Sequence, residues 1–274
     1  MKRYILLLMA VCCLFSISAQ QSTKEIPVEP LCLVAPDSAQ KTKQLVILQT
    51  SDTHSRIEPI AVNAADRYAG MGGTVRRATF IKEARKINPN LLLFDCGDIS
   101  QGTPYYNLFQ GEVEVKMMNL MGYDAMTIGN HEFDFGLENM ARLFRMANFP
   151  VVCSNYDVTG TVLEGLVQAD KCEGVVYNDP IEAAQKMADL LKNEEGCDVV
   201  ICLSHLGYQL KNAPCDEELA QKTNHIDAIL GGHTHTFMKE PAVYLNKDGR
   251  NVSVMHTGKN GIYVGMLKLT LAEE

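Results

Sequence analysis

From residue 45 onward the chain repeats one unit: a short apolar run, a few polar and glycine residues, then a stretch with apolar positions at helical spacing. Residues 45–49, 91–94, 125–128, 151–153, 199–203 and 228–230 read as strands. The run 91–94 is apolar throughout, which marks a strand covered on both faces. Residues 74–87, 113–121, 137–146, 180–192 and 216–222 read as helices. Ala78, Ile81 and Ala84 share one side of the first, and Pro180 opens the fourth. Beyond residue 240 the pattern changes. Residues 243–245, the turn through Asn246 and Gly249, and the runs 252–256 and 262–271 predict antiparallel strands. Strands alternating with helices predict an α/β fold whose sheet is flanked by helices, and the tail predicts a mixed sheet or a second one.

The first forty residues follow a different pattern. Lys2 and Arg3 precede a short apolar run, residues 4–15, and Ser16, Ile17, Ser18 and Ala19 offer small residues for cleavage. Residues 1–19 therefore read as a signal peptide, too short for a stable membrane span. Residues 20–43, with Pro27, Pro30 and Pro36, read as an extended leader to a domain over 44–274. The expected location is outside the cytoplasm, in the periplasm.

Side chains able to bind cations follow the apolar runs with regularity. Asp52 and His54 follow the first run, and Gly97 and Asp98 the second. Gly129, Asn130, His131, Glu132 and Asp134 follow the third. Ser204 and His205 follow 199–203, and Gly231, Gly232, His233 and His235 follow 228–230. Of seven histidines, five fall at these strand ends. In open α/β sheets ligands bind beyond the carboxyl ends of the strands, so these loops are expected to converge on a metal site. Side chains two apart in an extended chain point the same way, which would let Asp52 and His54, or His233 and His235, reach one cluster together. Carboxylate, imidazole and one amide oxygen suit Mn, Zn, Fe or Co better than the all-oxygen preferences of Ca or Mg.

Charge and cysteines narrow the picture. The chain carries 25 Lys and Arg against 33 Asp and Glu, a net charge of −8; losing Lys2 and Arg3 with the leader takes it to −10. Such a balance argues against a nucleic-acid partner. It does not oppose a small anionic substrate, since bound cations invert the local charge. Nine cysteines become seven once Cys12 and Cys13 leave. Cys96, Cys153 and Cys202 lie in apolar runs, while Cys32, Cys172, Cys197 and Cys215 lie in polar segments and are the disulfide candidates. Without a Cys-x-x-Cys pair, a zinc knuckle is not expected.

The order of these motifs is specific. Asp52 and His54, Gly97 and Asp98, the run Gly129 to Glu132, His205, and Gly232, His233 and His235 resemble the calcineurin-like metallophosphoesterase superfamily. Leu48 to His54, Gly97 to Gly102 and Ile128 to Asp134 are similar to its bacterial 5′-nucleotidase branch, which includes UDP-sugar hydrolases and 2′,3′-cyclic phosphodiesterases. The resemblance covers residues 44–271. It implies a four-layer αββα sandwich of two mixed sheets and a pair of divalent metal ions. Asp52, His54 and His235 would hold one ion, Asn130, His205 and His233 the other, and Asp98 would bridge both. His131, oriented by Asp134, would serve the leaving oxygen. The implied substrate is a small phosphate ester or nucleotide, attacked by a water whose pKa two cations lower toward roughly 7.

Two departures accompany the resemblance. The family's nucleotidases carry a C-terminal domain that clamps the nucleobase, so that pocket is expected either to be absent or to come from a partner, a separately encoded domain of that kind. The segment 156–180 is also shorter than the family's, which predicts a missing core strand. Rival readings are another hydrolase on the same scaffold (a cyclic phosphodiesterase, a sugar-nucleotide pyrophosphatase or a thiosulfohydrolase) or a non-catalytic metal-binding subunit. Glu132 is expected in a supporting role, His225 in a structural one and His256 near the ligands or in the core. Arg76 and Arg77, on the first helix, are expected in surface or cap roles rather than as phosphate-binding residues.

Overall fold

A computed structural model of the chain describes residues 7–12, 43–157 and 175–271. Its strands are β1 (Leu7–Cys12), β2 (Lys43–Thr50), β3 (Leu92–Asp95), β4 (Ala125–Thr127), β5 (Val151–Val152), β6 (Tyr156–Asp157) and β7 (Val176–Tyr177). Then come β8 (Val200–His205), β9 (Ala228–Gly231), β10 (Ala242–Leu245), β11 (Asn251–His256) and β12 (Gly265–Leu271). One sheet runs in the order β1-β8-β9-β11-β10 and a second in the order β12-β2-β3-β4-β5. Each is parallel except for one edge strand, β10 in the first and β12 in the second.

The residue pattern explains why two sheets stack. In β2, Val46 and Leu48 point to a core shared with helices α1 (Thr74–Ile87), α3 (Glu112–Met121) and α4 (Gly136–Met146). Ile47 points the other way, into a slab with Phe94, Ala125, Ile201, Leu203, Ala228 and Leu230. In β8, Val200 and Cys202 face α5 (Pro180–Asp189) and α6 (Asp216–Lys222), while Ile201 and Leu203 face the slab. Period-two alternation with both phases apolar therefore yields three hydrophobic layers and four layers of structure. This is the αββα sandwich that the resemblance implied. Polar side chains also cross between the sheets. Gln49 of β2 donates from Nε2 to the carbonyls of Gly231 and Met255, at 2.9 and 3.2 Å.

Several expectations change. The tail keeps the expected antiparallel hairpin of β10 with β11, but β11 also pairs in parallel with β9. β12 leaves that sheet and covers the open edge of β2. The helix expected over 180–192 is α-helical to Asp189 and widens into a π turn over Leu190–Glu194. A short helix, α2 (Pro104–Phe109), has no counterpart in the sequence reading, since it buries only Tyr106 and shows no apolar stripe. Arg77 is buried rather than at the surface, 7 % exposed, whereas Arg76 is exposed as expected. Cys197 and Cys215 are buried too, against the polar setting expected of them. Around the shortened segment, β6 and β7 form a two-residue antiparallel pair, and the place beside β8 is held by β1. Cys32, Cys172, the expected cleavage residues 16–19 and the leader 20–42 lie outside the described residues.

Ile201 is fully buried in the slab between the sheets. Ile201→Ala should lower the stability of the domain by about 2–5 kcal/mol, through lost burial and the cavity left behind. Urea unfolding checks this; a loss below about 1 kcal/mol would mean that the two sheets do not pack here as described.

Candidate metal centre

The ligand-type side chains lie on loops leaving the carboxyl ends of β2, β3, β4 and β9 and at the end of β8. The first two loops continue the pairing of their strands. Asp52 N donates to Gly97 O at 2.9 Å, and His54 N to Asp98 O at 3.0 Å. The backbone there is not extended. Asp52, His54, Asp98, His233 and His235 have φ of 49°, 46°, 56°, 78° and 52°. The simple alternation expected of Asp52 with His54 and of His233 with His235 is therefore not what brings them together. Left-handed turns do so, and each costs a non-glycine residue roughly 1–2 kcal/mol. Glycines allow the close approaches. Gly97 has φ of 85°, and a Cβ on it or on Gly129 would strike the facing loop.

All nine residues singled out from the sequence come together. Ligand atoms of Asp52, His54 and His235 lie within 4.8 Å of one another, and so do those of Asp98, His205 and His233. His54 Nε2 is 2.9 Å from His235 Nε2, which is 3.5 Å from Asp52 Oδ1. His205 Nε2 is 3.1 Å from Asp98 Oδ2 and 4.0 Å from Asp52 Oδ1. Asn130 Oδ1 is 3.1 Å from His233 Nδ1, which places the amide beside the second group. His131 Nδ1 is 3.0 Å from Asp134 Oδ2, and its ring meets that of His54 edge-on at 5.5 Å.

The electrostatics fit divalent cations. Asp52 and Asp98 are 0 % and 2 % exposed. Burial pushes the Asp52 carboxyl up to about 8 against the pull of His205. Asp98 is also buried, yet His205 beside it holds its carboxyl well below the usual range. Burial lowers His205, but Asp98 and Asp52 outweigh it and carry the imidazole up to about 10. Burial takes His235 down to about 3, and His54 down as well. The decisive atom is His205 Nε2. Its Nδ1–H donates to Cys96 O at 2.6 Å, so Nε2 is left facing two buried carboxylates, 3.1 Å from Asp98 and 4.0 Å from Asp52. The Nε2 proton faces two anions, and a cation taking its place would satisfy the imidazole and both carboxylates at once, which is the arrangement of a ligand set. With no thiolate in the set, the donors suit a first-row transition ion.

Glu132 has the supporting role expected of it. Its carboxylate, 1 % exposed, accepts from the backbone N–H groups of Asp98, Gly129 and Ser100 at 2.9, 2.6 and 3.2 Å. It thereby ties the Asp98 loop to the Asn130 loop. His131 N donates to Asp98 Oδ1 at 2.9 Å, which orients the second oxygen of that carboxylate. Burial lowers the His131 imidazole, but Asp134, Asp98 and Glu132 more than compensate and raise it to about 9. His225 lies 3.7 Å from Asp189, away from the ligands.

The calcineurin-like phosphoesterase family matches residues 45–237. The 5′-nucleotidase of Rattus norvegicus is 31 % identical over 84 % of this chain and 46 % of its own length. A 5′-nucleotidase precursor from Thermus thermophilus superposes with a TM-score of 0.73 at 30 % identity, over 84 % of this chain and 52 % of that one. A calcineurin-like phosphoesterase from Bacillus subtilis gives 0.63 at 27 % identity, over 85 % and 86 %. This chain thus spans about half the length of the curated relatives it matches.

The left-handed ligands give a direct test of backbone strain. Glycine adopts the conformation of His235 without penalty, and alanine does not. Metal-free His235→Gly should be more stable than His235→Ala by about 1 kcal/mol, although both lose the same ligand. Thermal melting of the two variants in excess chelator decides this; an alanine variant as stable as the glycine one removes the claim of strain.

Proposed function

This chain belongs to the calcineurin-like phosphoesterase family, and we propose that it hydrolyses phosphate esters of nucleotides with two divalent cations. The observation that carries the reading is the pair of three-residue ligand clusters with the His131–Asp134 pair beside them. Asp52, His54 and His235 would hold one cation, and Asn130, His205 and His233 the other. Asp98, with one oxygen 3.1 Å from His205, would be the carboxylate shared by both. Bound there, the cations would supply a low-pKa water and neutralise the phosphoryl oxygens.

The chain's own residues would do the rest. Asp134 accepts from Nδ1–H of His131, which fixes the tautomer and leaves Nε2 to pass a proton to the departing alcohol. Glu132 holds three backbone N–H groups of the two ligand loops in place. Support for nucleotides as the substrate class comes from the 5′-nucleotidases it resembles. Export is part of the same proposal and rests on the run from Lys2 to Ala19. Residues 7–12 of that run also form β1, so cleavage after Ala19 would remove the strand beside β8. Among the described residues no helix is long and apolar enough to cross a membrane.

Purified protein supplied with Mn²⁺ should release phosphate from AMP, and Asp98→Ala should bind less metal and lose turnover. Failure with AMP, cyclic nucleotides, UDP-glucose and p-nitrophenyl phosphate alike would overturn the reading. His131→Ala should retain metal and lose about 10²–10⁴-fold in rate on alkyl phosphates, and less with p-nitrophenol as leaving group. Equal losses on both would exclude proton donation by His131. For export, protein recovered from the periplasm should begin near Gln20; intact Met1 on protein held in the cytoplasm contradicts it.

A further inference from the structure

Behind the ligands lies a buried polar trio that takes no part in the chemistry above. Ser204 Oγ donates to Asp216 Oδ1, and His256 Nε2 lies 2.7 Å from Asp216 Oδ2. Exposures are 0 % for Ser204 and Asp216 and 1 % for His256. The residue types are those of a hydrolytic triad, but the order is wrong. The carboxylate stands between hydroxyl and imidazole, so His256 cannot take the serine proton, and no substrate reaches the hydroxyl.

What the trio does touch is the backbone that presents one group of ligands. Ser204 precedes His205 in β8, and Ser204 Oγ also accepts from Leu206 N at 3.2 Å. One hydroxyl therefore brackets His205 on both sides. Asp216 opens α6, and its N–H donates to Gly207 O at 2.9 Å, fixing the same segment again. His256 ends β11 in register with Gly231, the last residue of β9. A Cβ on Gly231 would collide with both Asp216 Oδ2 and His256 Nε2, so the pair forms the floor on which β9 ends. Two residues further on is His233. The trio thus ties β8, β9, β11 and α6 at the points from which His205 and His233 depart. A core selected for stability alone could fill this space with apolar side chains, a replacement of buried polar groups that is often neutral or stabilising.

We propose that Ser204, Asp216 and His256 are positioning residues for one cation of the pair, the one served by His205 and His233. The proposal rests on the two-cation reading, and the test separates them. Wild-type protein should bind two Mn²⁺ per chain in titration; binding of none overturns the two-cation reading itself. His256→Ala should weaken one of the two sites by about 10–100-fold and leave the other within about threefold. His256→Gln, whose amide can still donate to Asp216, should recover most of that loss. Titration with Co²⁺, followed by the visible absorption of the bound ion, reports the altered site without reference to activity. Melting of the metal-free variants reports the fold alone. Equal weakening of both sites in step with the loss of metal-free stability would show a merely structural trio, and unchanged binding in His256→Ala would show none of the proposed coupling. Should His256→Ala not fold, Ser204→Ala removes a single hydroxyl and must show the same one-site loss.

Discussion

The centre depends on the burial of two carboxylates that have too little positive charge around them. Asp52 and Asp98 sit at 0 % and 2 % exposure, facing imidazoles that carry charge only when protonated. Moving an anion from water to such a place costs several kcal/mol, and only close cations and hydrogen bonds offset it. The two stacked sheets create the dry slab, and their strand ends bring four loops to its rim. Glu132, Gln49 and the glycines of the turns then keep the ligand backbone from relaxing away from that charge. Divalent ions would resolve the imbalance, so metal binding would add to the stability of the folded domain.

Much of this was legible in the residues. Helices over 74–87 and 216–222 stand where spacing put them, because their apolar stripes are local and face a single layer. The ligand set was legible for a different reason: carboxylates and imidazoles at successive strand ends are rare enough to signal one site. What stayed hidden depends on contacts across long stretches of chain. Asp216 and His256 are forty residues apart, and Gln49 and Gly231 are 182 apart. No periodicity encodes such pairs. Arg77 looked like a surface residue on a helix whose burial is set by the loop at Gly261 packed over it. The parallel pairing of β11 with β9 escaped notice because a strand's direction leaves no mark in its own residues.

The likeness to 5′-nucleotidases is uneven in what it carries. The family match spans residues 45–237, which contain every one of the metal loops. The shared region amounts to half of those relatives. A centre built from strand ends needs only the phosphoryl group to be in place, so the rest of a substrate can be recognised by whatever surrounds the rim.

The five ligands with positive φ have a consequence for anyone who would improve this protein. Screening for variants that melt later, without added metal, rewards every relaxed turn. Glycine at 52, 54, 98, 233 or 235 is such a relaxation, so an optimisation of that kind would climb toward a sturdier chain that has forgotten its ions. Thermostability and purpose pull in opposite directions at these few positions, and consensus or design procedures should hold them constant from the outset.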